Sequence, residues 1–139
     1  METAKITIQA NVAKDAATVW ECYTNPKHVV NWNFASDDWH CPTASNDLRI
    51  GGKFSARMEA KDGSWGFDFI AVYKEITPGK SYTYIMEDGR EVNLLLKDLG
   101  DTTEVTVTFD AENENPVDMQ QQGWQAILNN FKAYTEKQA

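Results

Sequence analysis

Apolar positions alternate strictly near the start of the chain, where Ile6, Ile8, Ala10 and Val12 are separated by Thr7, Gln9 and Asn11. A period of two places every second side chain on one face, so residues 5–12 read as a half-buried strand. The period then lengthens. Ala16, Val19, Trp20 and Tyr23 recur at helical spacing behind Asp15, whose carboxylate can accept from first-turn amides, and a short helix is predicted. Asn25-Pro26 ends that helix and seeds a second one with Pro26 at its first position. Between Val30 and Leu48 no period holds, and we expect an irregular stretch. It is nonetheless rich in aromatic and imidazole rings: Trp32, Phe34, Trp39 and His40.

From Ile50 onward the chain reads as a meander of antiparallel strands punctuated by Asp62-Gly63, Pro78-Gly79, Asp88-Gly89 and Gly100-Asp101. The turns fix register. Counting outward from Asp62-Gly63 sets Ala60 opposite Trp65, Met58 opposite Phe67, Ala56 opposite Phe69 and Phe54 opposite Ala71 on one face, with Arg57 against Asp68 on the other. Counting from Gly100-Asp101 sets Leu96, Leu94 and Val92 opposite Val105, Val107 and Phe109, with Lys97 against Glu104 outside. The middle conflicts: Asp88-Gly89 puts Thr83 and Ile85 on the core face, whereas Pro78-Gly79 pairs Tyr84 with Tyr73 there. One residue must be absorbed, by a bulge near Ile70–Ile76 or a longer loop at Thr77–Lys80.

The last segment, residues 115–137, is helical, with Asn115 as cap, Pro116 at the first position and an apolar stripe of Trp124, Ile127, Leu128, Phe131 and Tyr134. Gly123 costs this helix about 1 kcal/mol relative to Ala, so a close approach of another element is expected there. A sheet with one apolar face and one long striped helix has an economical solution, in which the sheet curls around the helix. The fold class is therefore α+β: about six to seven curved antiparallel strands around a C-terminal helix, two short helices after the first strand, and residues 1–139 as a single domain.

Composition narrows the function. The chain has 139 residues, 42% of them hydrophobic and 12% aromatic, enough apolar material for a core. A net charge of -8 disfavours a phosphate backbone or an anionic membrane surface, and no apolar run approaches the ~20 residues of a membrane span. The polar start, Met-Glu-Thr-Ala-Lys, argues against a signal peptide, and a cytoplasmic location is expected. Cys22 and Cys41 are too few for a disulfide framework and read as structural thiols. His28 and His40 lack the partners of a metal site, so no metal or other cofactor is expected.

The element order, together with Trp32, the run Asn46-Asp47-Leu48-Arg49-Ile50-Gly51-Gly52-Lys53-Phe54, the Met58–Phe69 hairpin and Gly123-Trp124-Gln125-Ala126-Ile127-Leu128, resembles the START-like (SRPBCC, helix-grip) superfamily. Within it the chain is similar to the branch named after the C-terminal domain of the activator of heat-shock-protein ATPase. The resemblance implies a deep cavity between sheet and long helix that holds lipids, sterols, polyketides or flat aromatic compounds. Some relatives are cyclases or hydrolases. Co-chaperones of the branch grip their chaperone with a further N-terminal domain, for which 139 residues leave no room.

The inward strand positions and the helix stripe supply the candidate ligand site: Phe54, Ala56, Met58, Trp65, Phe67, Phe69, Trp124 and Leu128, with Trp32, Phe34, Trp39 and His40 from the aperiodic stretch. Each apolar member also suits ordinary core packing. His40 with Asp37 and Asp38 could serve as a general base, but no catalytic residue is assigned. Three functions stay open: non-enzymatic binding of a small hydrophobic molecule, a stress- or chaperone-associated interaction protein, and a cyclase-like enzyme. The expected partner is the small molecule, with no nucleic acid and no membrane insertion; a chaperone is the second candidate.

Overall fold

The structure is a computed structural model and describes residues 5–112 and 114–138. The predicted first strand is β1 (Lys5–Val12), with Ile6, Ile8 and Val12 buried. Helix α1 (Ala16–Thr24) begins where Asp15 accepts from the Thr18 amide, and Asn25 both ends it and caps α2 (Pro26–Val29) by accepting from the Lys27 amide. Six further strands follow: β2 (Trp39–Asn46), β3 (Lys53–Ala60), β4 (Gly66–Thr77), β5 (Ser81–Met86), β6 (Glu91–Asp98) and β7 (Thr103–Asp110). The sheet runs β1-β7-β6-β5-β4-β3-β2, antiparallel throughout, and curls around α3 (Val117–Glu136).

Both outer hairpins adopt the register that their turns dictate. Met58 pairs with Phe67, Ala56 with Phe69 and Phe54 with Ala71, while Leu96, Leu94 and Val92 meet Val105, Val107 and Phe109. The conflict in the middle resolves in three places. The β5–β6 turn spans Glu87–Gly89, closed by Met86 donating to the Arg90 carbonyl at 2.8 Å, one residue longer than a two-residue turn. This puts Tyr82 and Tyr84, not Thr83 and Ile85, on the core face opposite Leu94 and Val92. Tyr73 still pairs with Tyr84, and a bulge between Tyr73 and Glu75 offsets a longer β4–β5 turn that sets Thr77 against Ser81.

The aperiodic stretch also needs correction, because its second half is the edge strand β2. Pro42 cannot donate to a ladder and sits where the register slips between His40 and Thr43, so the alternation is broken in the sequence itself. Asn46, at the end of β2, ties three elements together: its amide donates to the Thr24 carbonyl at 2.7 Å and its Oδ1 accepts from the Tyr73 hydroxyl at 2.9 Å.

Two expectations for α3 fail. Pro116, rather than Asn115, occupies the cap position, and the helix has no side-chain cap; Asn115 instead donates to the Glu112 carboxylate. Gly123 has no close neighbour: nothing among the described residues lies within 4 Å of where a Cβ would stand. The predicted stripe does face the core, with Leu128 and Phe131 fully buried. Side chains on the flank of α3 reach the outer strand: Gln125 donates to the Gln9 carbonyl at 3.1 Å and Lys132 to the Asn11 carbonyl at 2.6 Å.

Candidate functional site

The curl of the sheet leaves a cavity of about 310 Å³ between its concave face and α3. Its wall is built from alternation on neighbouring strands. Phe54 and Met58 come from β3, Phe67 and Phe69 from β4, Tyr82, Tyr84 and Met86 from β5, and Ile8 and Val107 from β1 and β7. Helix α3 contributes Trp124, Ile127 and Leu128, and the first helices and the segment after them contribute Tyr23, Trp32 and Asn33. Trp124 lies flat on Phe109 (centroids 3.8 Å apart, planes at 13°) and presents an edge to Phe69. Stacking of this kind adds about 0.5–1.5 kcal/mol beyond area burial and holds the indole in one pose.

Trp32 is fixed from both ends. Its Nε1 donates to the Cys22 carbonyl at 3.0 Å, and its ring packs on Tyr23 and Phe131. Of the twelve candidate residues, seven line the cavity: Trp32, Phe54, Met58, Phe67, Phe69, Trp124 and Leu128. Five do not. Ala56 is buried between strands without reaching the space. Phe34 does not line it either; its carbonyl accepts from the Asn130 side-chain amide at 2.5 Å. Trp39 and Trp65 pack edge-to-face at 5.5 Å beyond the cavity, and Trp65 is 63% exposed. Phe67 touches both the cavity and this outer pair, so the aromatic surface is continuous from inside to outside.

His40 belongs to another face. It stands 3.7 Å from Glu59, which also accepts from Arg57 at 2.8 Å, while Asp38 accepts from Ser36. The anticipated His40–Asp37–Asp38 grouping is therefore not assembled at the cavity, and Arg57 reaches Asp68 only at 3.4 Å. Neither thiol is primed for attack: burial raises the Cys22 pKa and pushes Cys41 to about 11. Among the described residues, no cluster of three or more His, Cys, Asp or Glu could hold a metal ion.

Sequence reasoning missed the polar part of the wall. Arg90, Glu112 and Gln120 meet where the β5–β6 turn, the β7–α3 connection and the first turns of α3 converge. Gln120 is spent on structure, accepting from the Glu112 amide at 2.9 Å and donating to the carbonyls of Glu112 and Asn115. Arg90 donates to Asp88 at 2.7 Å and faces Glu112 at 4.0 Å. The tyrosines were missed because register counted from Asp88-Gly89 turned Tyr82 and Tyr84 outward. Burial raises the phenols of Tyr23, Tyr82 and Tyr84 far above their ordinary range, neighbouring tyrosines adding to it, and raises Tyr73 to about 12.

Residues 14–136 match the family model described as activator of Hsp90 ATPase homolog 1-like protein. The chain belongs to this family. An AHSA1-like protein from Aeromonas hydrophila, solved by solution NMR, is 41% identical; the match covers 96% of this chain and 92% of that one, with a TM-score of 0.90. Chr148 from Cytophaga hutchinsonii is 45% identical over 95% of this chain and 92% of its own, with a TM-score of 0.82. CV1439 from Chromobacterium violaceum, 18% identical over 97% of this chain and 99% of its own with a TM-score of 0.86, shares the fold. No curated protein is significantly similar in sequence.

In this AHSA1-like chain the residues that carried the family resemblance have physical tasks. Gly51 adopts φ +84°, a conformation that favours glycine, and its amide donates to the Tyr73 carbonyl at 2.8 Å. The Gly52 carbonyl accepts in return from the Tyr73 amide at 3.0 Å, so the pair docks the start of β3 onto β4. Phe54 and Trp124 then supply opposite walls of the cavity.

Proposed function

We propose that this protein binds a small hydrophobic molecule in the cavity between the sheet and α3, without performing chemistry on it. The observation that carries this reading is the cavity itself: about 310 Å³, walled by aromatic and aliphatic side chains with a few polar groups at one end. That size and composition suit a small-molecule site, whereas a domain built only for packing closes such space, because interiors fill to crystal-like density. The supporting test is tryptophan fluorescence quenching against a panel of fatty acids, sterols and planar polycyclic compounds. Trp32 and Trp124 line the space, so a true occupant quenches the wild type and quenches Trp124→Phe less. Leu128→Phe narrows the cavity and should weaken binding at least fivefold. A panel in which nothing binds overturns the reading.

A second reading has its own observation. The cluster of exposed Trp65 and Phe67 against half-buried Trp39 is the kind of apolar surface that docks a protein, and it favours a stress- or chaperone-associated interaction. Trp65→Ala separates the two: it should abolish docking of a chaperone partner while leaving quenching by a cavity ligand within about twofold. The cyclase-like alternative draws no support from His40, which lies outside the cavity.

A further inference from the structure

Beyond the cavity, β2, β3 and β4 end together with aromatic rings on one face and charges on the other. Trp39 pairs with Ala60, whose amide donates to the Trp65 carbonyl at 2.9 Å, so these three residues form a row across the strands. Met58 and Phe67 form the next row on that face. On the opposite face the charges satisfy one another. His40 stands 3.7 Å from Glu59, and Arg57 donates to Glu59 at 2.8 Å and to Asp68 at 3.4 Å. Gly66 leaves room for that guanidinium, since a Cβ there would lie 2.7 Å from it. The aromatic face stays open: Trp65 is 63% and Phe67 39% exposed, and α3 is tied to β1 at the far edge of the sheet.

The carboxylates at this end are not neutralised as those of the opposite face are. The Lys61 amide donates to the Asp38 carbonyl at 2.8 Å, which joins the segment before β2 to the β3–β4 turn. Asp38 accepts from the Ser36 hydroxyl and Asp62 from the Ser64 amide. Among the described residues, neither of these two nor Asp37 enters an ion pair. The antiparallel topology extends the imbalance to a whole end of the sheet. Segments 36–38, 61–65, 87–90, 110–112 and 114–118 lie at the aromatic end and carry nine Asp and Glu against two bases, Lys61 and Arg90. Segments 13–15, 47–52, 78–80 and 99–102, at the other end, carry three acids and three bases. The net charge of -8 is thus concentrated where the rings are exposed.

We propose that this end of the sheet docks an arginine-bearing, positively charged segment of a partner protein. The inference rests on the reading of the aromatic cluster as a docking surface and fixes the charge of what docks there. Arginine matches both components, because its guanidinium stacks on an indole face and pairs with a carboxylate at the same time. A second copy of this chain would bring an equally acidic end against this one. A phosphate backbone or an anionic bilayer is repelled by the same field.

The test uses three short dye-labelled peptides that alternate leucine with arginine, with citrulline or with glutamate, followed by fluorescence anisotropy. The wild type should bind the arginine peptide at least about tenfold more tightly than the citrulline peptide, and the glutamate peptide not measurably. Trp65→Ala should weaken arginine-peptide binding at least about fivefold, the loss of one stacked cation. Asp37→Asn/Asp38→Asn/Asp62→Asn keeps the side-chain acceptors; it should weaken binding similarly and flatten the salt dependence. Asp101→Asn, at the far end, should stay within about twofold of the wild type. Should Trp65→Ala fail to fold, the Trp65 indole N–H resonance, assigned as the one missing in Trp65→Phe, decides. It should move on titration with the arginine peptide, and a stationary signal overturns the inference. Equal affinity for the arginine and citrulline peptides, both lost in Trp65→Ala, overturns the charge assignment and leaves the docking reading standing. Arginine-peptide binding that survives in Trp65→Ala is general charge attraction and overturns the inference. A dimer in sedimentation that Trp65→Ala dissociates gives the surface to a second copy, with the same consequence. Binding of no peptide overturns both this inference and the docking reading.

Discussion

Replacing Gly123 by alanine should stabilise the protein, and the size of the gain follows from the structure. Gly123 sits in the seventh position of α3, where a new Cβ meets nothing within 4 Å among the described residues. Its φ is not in the left-handed region, so alanine brings no backbone strain. Steric cost is thus near zero, and what remains is the helix preference of Ala over Gly, about 1 kcal/mol, part of it from lost freedom in the unfolded chain. For 139 residues, at about 2.1 cal/mol/K of unfolding entropy each, that energy corresponds to a Tm about 3 °C higher. Calorimetry gives the Tm, and urea unfolding should move the midpoint upward at constant slope. Because Gly123 does not line the cavity, ligand quenching should stay at the wild-type level. A lower Tm would mean that something does pack against this turn of the helix, and would refute the reasoning.

Gly52→Ala should behave oppositely: a Cβ there would lie 2.0 Å from the Asp47 carbonyl oxygen, backbone that cannot step aside, and a loss above about 2 kcal/mol is expected in urea unfolding. In acid, Asp110 sets part of the stability limb. Donation from Lys5, then from the Glu91 amide, holds its pKa below 3.8, so its contribution is present above the unfolded value and disappears as pH falls through the folded one. Asp110→Asn should flatten the loss of Tm below about pH 4, and an unchanged acid limb would count against this role. In alkali the sign reverses. The cavity phenols have raised pKa values, so stability is complete below the unfolded value of 10.0 and drains away above it. Phenolate absorbance at 295 nm should therefore rise together with the loss of circular dichroism; gradual ionisation in a still-folded protein would show that the rings are accessible. Asp68→Asn should cost less than about 1 kcal/mol, since Arg57 keeps Glu59 at 2.8 Å.

How far the sequence revealed this arrangement depended on the kind of signal. Asp15 and Asn25 announce helix starts because the cap side chain and the amide that donates to it are local. The outer hairpins were legible because pairing across a turn follows by counting once the turn length is known. Counting failed at Asp88-Gly89, where the turn borrows Glu87 and one residue of slip exchanges Tyr84 for Ile85 on the core face. Edge strand β2 was hidden by Pro42, which breaks alternation in the same place that it bends the strand. Trp124 was named as a cavity candidate by helical spacing and Trp32 by residue type alone, and both line the space, whereas Arg90, Glu112 and Gln120 were not named. Those three converge only because two loops and a helix end meet in space, and no one-dimensional period encodes that meeting.

The bonds from α3 to the backbone of β1 bear on how the chain comes off the ribosome. An outermost strand carries unpaired carbonyls that can template pairing with another chain. At Gln9 and Asn11 these are occupied by Gln125 and Lys132, while the opposite edge is interrupted by Pro42 and its bulge. The guard for the first strand is thus translated more than a hundred residues after it. Until that helix emerges and docks, a nascent chain shows both its open concave face and an unguarded border. Truncation before Val117 should consequently yield inclusion bodies rather than a smaller soluble domain, and the growing chain has reason to depend on whatever shields it during synthesis.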